Sequence, residues 1–499
     1  MGLSVLCCYT AHNPDSHFPL QKSSEIPYGF ALIATLLKQA GHQVQLLVLS
    51  PSEVLDESFR SRIGVQAIDL ICFSCVSSHF PLVKRITSAF REAHPSSYIV
   101  VGGAHATVNP NDTISHEPVD AVCVGEGEAA ILELAAQLES GRPPSKVVNC
   151  WLKENSGSIQ QNQRAQFIDD LNVLPSIDRA MWDPWIKQPD LEPAVIIGRG
   201  CPNSCKFCSN RAFRRISEGN YVRFRRVSNI IREIFEIIDR YETDYIYLET
   251  ETLSCDLDFT FELCDALAKL NMELQQQVRF RGNFSLTAKI ARDHKLMSQL
   301  FMAFVRAKIL HLNVGLESGS ERIRRLMGKP YYTNDDFLSF CRIAQENGLG
   351  VRLYVMIGLP DETLFDWKET VHVVKKSQPE DVALSIFFPY PGTEAYEMVK
   401  REGLLKKEIS DFVLERQKVV IDLPKFSRRR IMLEHRLFER KVLAINGPWK
   451  STWHHRILIS LLSQPILGYS IVFLVDKLND TMPGIRKKAG DWFVYSYHD

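Results

Sequence analysis

The sequence predicts an α/β protein made of two successive units of parallel strands, an N-terminal doubly wound sheet and then a partial or complete parallel barrel, followed by a mostly helical tail. Three observations predict it. Apolar strand-like runs alternate with helical patterns over residues 1–138, the alternation restarts near residue 191 after a polar stretch, and it stops near residue 400. At 499 residues the chain is also too long for one ordinary core, which agrees with several domains.

In the first unit the strand-like runs are 4–8, 44–49, 68–74, 98–101 and 121–124, and helical patterns fall at 30–40, 80–92 and 128–138. The runs are apolar on both faces, as strands buried on both sides of a parallel sheet must be. Glycines close the fourth and fifth strands, at Gly102-Gly103 and at Gly125-x-Gly127. In open sheets of this kind ligands sit outside the carboxyl ends of the strands.

Residues 139–190 are polar and carry Gly141, Pro143, Pro144, Asn155 and Gly157, which reads as a linker with room for a short hairpin. The second unit, 191–400, has strand-like runs at 194–198, 245–249, 278–283, 311–317, 351–358 and 382–389. Six βα repeats in that length suit a parallel barrel. The tail, 401–499, is basic at Arg428-Arg429-Arg430 and apolar at 457–475. Gln464, Pro465 and Gly468 interrupt that apolar run, so packing on the protein is favoured over membrane-surface contact or a true span.

Hydrophobic residues make up 45% and charged residues 24%, the composition of a soluble globular protein. With 59 basic and 59 acidic side chains there is no net field to draw the chain to nucleic acid or to an anionic membrane. The N-terminus enters a strand without a charged region before a long apolar run, so no secretory signal is expected. Twelve cysteines without such a signal point to a reducing compartment, the cytoplasm, where thiols stay free or bind metal. Cys72 and Cys75 form a CxxC inside a continuous apolar strand, which reads as buried packing.

The strongest signal is Gly198-Arg-Gly-Cys201-Pro-Asn-Ser-Cys205-Lys-Phe-Cys208, a CxxxCxxC at the end of the first barrel strand. A structural zinc site would want four protein ligands, and no fourth Cys or His follows nearby. Three thiolates instead hold three irons of a 4Fe–4S cubane and leave the fourth iron open. That open iron can chelate the amino and carboxylate groups of a methionine moiety.

On this motif the chain resembles the radical SAM superfamily, which uses the same spacing with an aromatic before the last cysteine, here Phe207. The resemblance implies a partial (β/α)6 TIM-like barrel and one-electron cleavage of S-adenosylmethionine to a 5′-deoxyadenosyl radical. It also implies an external electron donor such as a flavodoxin or ferredoxin, and places Phe207 near the adenine. Glu249 or Glu251, at the second strand end, would pair with the SAM ammonium or be an exposed strand-end charge; the family's common Asp-Asp-x-Phe string is missing there. Glu317-Ser318-Gly319, in the fourth strand's family-like segment, would hydrogen-bond the ribose and the ammonium. Arg281 would meet the SAM carboxylate or pair with an acidic neighbour. Gly358, in Met356-Ile-Gly358-Leu-Pro360, would allow close approach of backbone to ligand.

The first unit resembles the Rossmann-like cobalamin-binding domain found ahead of the barrel in cobalamin-dependent radical SAM enzymes. Pro27-Tyr28-Gly29, Ser74-x-Val76, Val101-Gly102-Gly103-Ala-His105-Ala-Thr107 and Val124-Gly125-Glu126-Gly-Glu128 carry it. The resemblance implies that the small residues admit the nucleotide tail of the corrinoid; His105, next to the double glycine, is read as a rim or cofactor-edge residue rather than a ligand. No DxHxxG is present; Asp15-Ser-His17-Phe-Pro-Leu20 comes nearest, with leucine in place of glycine, so no cobalt-bound histidine is expected from this domain. A dinucleotide fingerprint at Gly125-Glu-Gly127-Glu-Ala-Ala130 is set aside, because it follows the fifth strand and would turn glutamates toward a pyrophosphate.

The expected function is methyl transfer to an unactivated carbon of a small, possibly hydrophobic metabolite. A second reading keeps both cofactors but drives cyclisation, rearrangement or oxidation without net methyl transfer, as in the anaerobic tetrapyrrole cyclases. A third, a corrinoid sensor or carrier with a vestigial barrel, is opposed by the intact three-cysteine motif.

Overall fold

The computed structural model describes residues 2–13, 15, 17–51, 59, 67–154, 156–405, 416 and 418–443. The apolar stretch 457–475 lies outside them. Among the described residues no helix is long and apolar enough to cross a membrane.

The first sheet contains β1 (Ser4–Thr10), β2 (Gln43–Leu49), β3 (Leu70–Ser74), β4 (Tyr98–Gly102), β5 (Ala121–Cys123), β6 (Cys150–Lys153) and β7 (Ile159–Gln161). Its order is β2-β1-β3-β4-β5-β6-β7. The first five strands are parallel, and β6 and β7 add an antiparallel edge. Alternate residues of β1 face two different cores: Val5 and Cys7 pack toward α1 (Tyr28–Gln39), while Leu6 and Cys8 pack toward α2 (Phe80–Ala93). Both faces are therefore apolar, which is why the strand runs show no polar alternation. A third helix, α3 (Glu128–Glu139), shares the α1 face through Ile131 and Leu134.

The stretch read as a linker is packed rather than loose. Its hairpin is β6–β7, and its later part sends Ile177, Ile186 and the fully buried Trp182 into the first core. A short parallel pair, Leu20–Lys22 with Ile186–Gln188, ties it to the segment between β1 and α1.

The second sheet is β8 (Ala194–Ile196), β9 (Tyr245–Glu249), β10 (Arg279–Phe284), β11 (Ile309–Glu317), β12 (Gly350–Ile357) and β13 (Asp381–Ile386), parallel and paired in chain order. β8 and β13 are the ends of that order and do not pair with each other, so the barrel is partial. Helices α4 (Val227–Tyr241), α5 (Leu257–Glu273), α6 (His294–Arg306), α7 (Asn334–Glu346) and α8 (Leu364–Ser377) return the chain between strands. The side of the wall nearest β10 is aromatic: Phe284 stacks on Phe340 at 5.5 Å and meets Phe301 and Phe304 edge-on. Fully burying each such ring is worth roughly 1.5–3 kcal/mol. Helix α9 (Glu394–Arg401) closes the second unit, and the described part of the tail forms α10 (Arg428–Leu443). Trp367 of α8 docks α10, with its ring 5.4 Å from Phe438 and its indole N–H donated to Glu434 at 3.0 Å.

Candidate active site

The three-cysteine loop follows β8 and is anchored from several directions. Gly198–Arg199 pairs antiparallel with Arg223–Phe224, which turns the chain off the barrel wall. Gly200 has φ +88°, and a Cβ there would fall 2.1 Å from the Tyr221 carbonyl oxygen, so the turn requires glycine. Within the loop, the Lys206 N–H donates to the Met327 carbonyl and the Lys206 carbonyl accepts from Ala395 N–H, both at 2.9 Å. Arg214 donates to the Pro202 carbonyl at 3.0 Å and to the Ser204 hydroxyl at 2.9 Å.

Burial pushes the Cys201 thiol up to about 11 and Cys205 to about 12, and it raises Cys208 as well. Metal binding must therefore release protons from this set. Among the described residues no three His, Cys, Asp or Glu side chains close on a single ion. Three thiolates on one loop are the donor set that a 4Fe–4S cubane takes, one per iron, so they fit the cluster.

The barrel strand ends beside this loop are acidic. Glu249 ends β9 with one carboxylate oxygen buried and unpartnered. Burial, and then the neighbouring Glu251, raise its pKa to about 7. Glu251 is exposed two residues on. Next to them Asn283 donates to the Thr250 carbonyl at 2.8 Å and accepts from Asn313 at 3.0 Å. Glu317 sits at the end of β11 in a left-handed conformation, φ +64°, and pairs with the buried Lys329 at 3.0 Å. Phe207 packs half-buried against the barrel core.

At the barrel Ser318 and Gly358 depart from expectation, and Arg281 takes one of its two expected roles. Ser318 is fully buried and faces outward to α8, its hydroxyl 3.2 Å from the Thr370 hydroxyl and accepting from Ser320 N–H, so it belongs to the wall. Arg281 lies in mid-strand, 2.6 Å from Glu192 and over the Tyr247 ring, so pairing with an acidic neighbour is the reading the geometry supports. Gly358 has φ +83°, but the space a Cβ would take is bordered by Ile431 of α10; the glycine serves a turn under the tail helix.

Facing the barrel, the carboxyl ends of the first sheet present Tyr28, Ser74, Gly102, Gly103, Gly125 and Glu126 to a cavity of about 630 Å3. Its opposite wall is Gly198–Gly200, Asn210, Tyr221, Tyr247, Glu249, Glu251 and Asn283. Gly103 has φ +90°, and a Cβ would lie 2.7 Å from Cys75 N and 2.8 Å from the Ser74 hydroxyl. A side chain here would push the two strand ends apart, so glycine keeps the ends of β3 and β4 together at the cavity rim. His105, expected at the rim, is instead buried, stacked on Phe80 at 4.2 Å with Nδ1 3.1 Å from the Ser77 hydroxyl. Its imidazole fills the space between α2 and the following short helix.

The glutamates of the discarded dinucleotide fingerprint bind the barrel. Glu126 accepts from Arg199 at 3.1 Å and from Arg223 at 2.8 Å, and Glu128 accepts from Arg199 at 2.6 Å. These arginines hold the Glu126 carboxyl below the usual carboxylate range despite its burial. Deeper in, the Tyr28 hydroxyl donates to Glu233 of α4 at 2.7 Å, and Glu233 also receives Arg179 and Arg225. Sequence reading missed Arg199, Arg223 and Tyr221. Arg199 lies inside the quoted Gly-Arg-Gly turn, but nothing local marks Arg223 as its companion.

Residues 22–135 match the family described as B12 binding domain, and residues 195–374 match the Radical SAM superfamily. The chain is 26% identical over 383 residues to an uncharacterized methyltransferase of Pyrococcus horikoshii, covering 76% of this chain and 79% of that one. It is 22% identical over 394 residues to the anaerobic magnesium-protoporphyrin IX monomethyl ester cyclase of Rubrivivax gelatinosus, covering 77% and 68%. In fold it is similar to the radical S-adenosylmethionine methyltransferase TsrM of Kitasatospora setae, solved with cobalamin and a 4Fe–4S cluster, with TM-score 0.64, 15% identity, and coverage of 81% and 75%.

Proposed function

We propose, from what its two domains make this chain, a cobalamin-dependent radical SAM enzyme, that it methylates an unactivated carbon of a small metabolite with an apolar body. One observation carries the reading: the carboxyl ends of both sheets border the same cavity, with the glycine rim of the first sheet on one wall and Glu249, Glu251 and Asn283 on the other. When bound, the cluster would supply the electron that cleaves SAM and the corrinoid would supply the methyl group.

The chain's own residues bind and orient. Cys201, Cys205 and Cys208 hold the cluster, and Phe207 packs by the adenine. Glu249, with an unpartnered buried oxygen, and Glu251 receive the SAM ammonium, and Glu317 serves the ribose side, held by Lys329. Gly102, Gly103 and Gly125 admit the corrinoid tail, with Ser74 and Tyr28 at its border. Phe167, Phe213 and Ile216 give the cavity an apolar side for the substrate and keep water from the reacting carbon. A flavodoxin or ferredoxin delivers the electron from outside.

The test is anaerobic reconstitution with iron, sulfide and cobalamin, followed by turnover with methyl-labelled SAM on hydrophobic acceptors. Label in a product together with 5′-deoxyadenosine is the expected result. A product formed with 5′-deoxyadenosine but without label replaces methyl transfer by the cyclase-type reading, which the likeness to the Rubrivivax gelatinosus enzyme favours.

A further inference from the structure

Four of the five cysteines in the first sheet face the α1 side: Cys7, Cys72, Cys123 and Cys150. Two of them form a pair that the proposed function does not use. Cys123 of β5 and Cys150 of β6 are direct partners in the antiparallel ladder. Val124 N–H donates to the Asn149 carbonyl and Lys153 N–H to the Asp120 carbonyl, so Cys123 and Cys150 occupy a non-hydrogen-bonded position. There the Cα atoms of opposed residues approach to about 4.5 Å and both side chains stand on one face, within the range a disulfide spans. Contact with Cys123, and then burial, raise the Cys150 thiol far above the usual thiol range. The parallel pair Cys7–Cys72 is fully buried.

Access distinguishes the two members. Cys150 is buried, whereas Cys123 is only partly buried. Both line the cavity between the domains, and a Cβ on Gly127 would lie 3.3 Å from the Cys123 sulfur. The thiol therefore borders the glycine rim, and Gly127 leaves it open.

We infer that Cys123 and Cys150 are an oxidisable dithiol that closes to a disulfide in the cavity wall when that wall is open to solvent, and is shielded when a corrinoid covers it. Hydrogen peroxide is the oxidant. The Cys123 sulfur attacks one peroxide oxygen and expels hydroxide, giving a sulfenic acid. The Cys150 sulfur then displaces water from it, so two thiols and one peroxide become one disulfide and two waters. The site itself rests on the ladder geometry alone; only its shielding rests on the cobalamin reading.

The test treats the full chain with hydrogen peroxide, with and without hydroxocobalamin, then alkylates free thiols and digests with trypsin. Cleavage after Arg91, Lys146 and Lys153 places each thiol in its own single-cysteine peptide, so the bridge gives one cross-linked species. That species is expected in the cobalamin-free protein, and dimedone is expected to trap Cys123 in the Cys150→Ser protein. Both peptides fully alkylated, or Cys123 oxidised beyond the sulfenic acid with no bridge, overturns the inference, and an unbridged result in Cys123→Ser is the control. With cobalamin at about ten times its Kd the bridging rate falls about tenfold. An unchanged rate in protein that retains cobalamin overturns the shielding. A chain that retains no cobalamin counts against the cofactor reading, and the first arm alone then decides the dithiol.

Discussion

Glu126 accepts from both Arg199 and Arg223, so one carboxylate of the first domain ties down the two strands that introduce the cluster loop. Arg223 is almost fully buried, and a neutral partner would leave its charge uncompensated. Glu126→Ala is expected to cost about 3 kcal/mol in a denaturant titration, with Glu126→Gln recovering part of it. Because the folded carboxyl is held below its ordinary value, this stabilisation is full above the unfolded pKa and is lost as the pH falls through the folded one. The wild-type advantage over Glu126→Gln should therefore shrink in acid; an advantage independent of pH sinks the idea.

Glu249 has the opposite sign. Its folded pKa, about 7, lies above the unfolded value, so the buried acid favours folding at low pH and opposes it as the pH rises through 7. In SAM-free protein, Glu249→Gln is expected to raise the thermal midpoint at pH 8 and to leave it nearly unchanged at pH 5. Equal shifts at both pH values would show that the carboxyl is already ionised at pH 5.

Removing any one of Cys201, Cys205 or Cys208 as alanine should reduce reconstituted iron and sulfide to background. Circular dichroism should stay that of the parent, because the loop is held through the Lys206 backbone and through Ser204 with Arg214, and not through the thiols. Zinc retained by a two-cysteine variant would contradict the cluster assignment.

At Gly103, alanine meets Cys75 N at 2.7 Å in a conformation with φ +90°. Gly103→Ala should cost about 1–3 kcal/mol and weaken cobalamin retention on gel filtration, while SAM affinity holds. Unimpaired retention would place the corrinoid elsewhere.

Ser318→Ala separates wall from ligand contact. Losing the bonds to Thr370 and Ser320 should lower stability by about 1 kcal/mol and leave the SAM Kd at its parental value. A large rise in Kd at unchanged stability would return Ser318 to the ligand side.

What the sequence made legible follows from the range of each signal. Parallel strands buried on both faces write themselves as short apolar runs, so β1–β5 and β8–β13 were readable, whereas the antiparallel edge β6–β7 was legible only as room for a short hairpin. The cysteine spacing is local and names its chemistry within eight residues. Side-chain direction at a strand end is not local: Ser318, His105 and Arg281 are polar residues at plausible positions, and each is turned by a neighbour from a distant segment, Thr370, Phe80 or Glu192. Arg199 and Arg223 were invisible as a pair, because the carboxylate that joins them lies 73 and 97 residues away.

The hold on the cluster loop also sets an order of events during biosynthesis. Lys206 bonds to Met327 and Ala395, so the loop acquires its last clamp only when nearly the whole barrel has left the ribosome. The first domain can fold early, as leading domains do. Iron and sulfide would meet a fully clamped loop only after Ala395 has been made, and a chain truncated before it should emerge as a folded leader carrying an unclaimed trio of thiols.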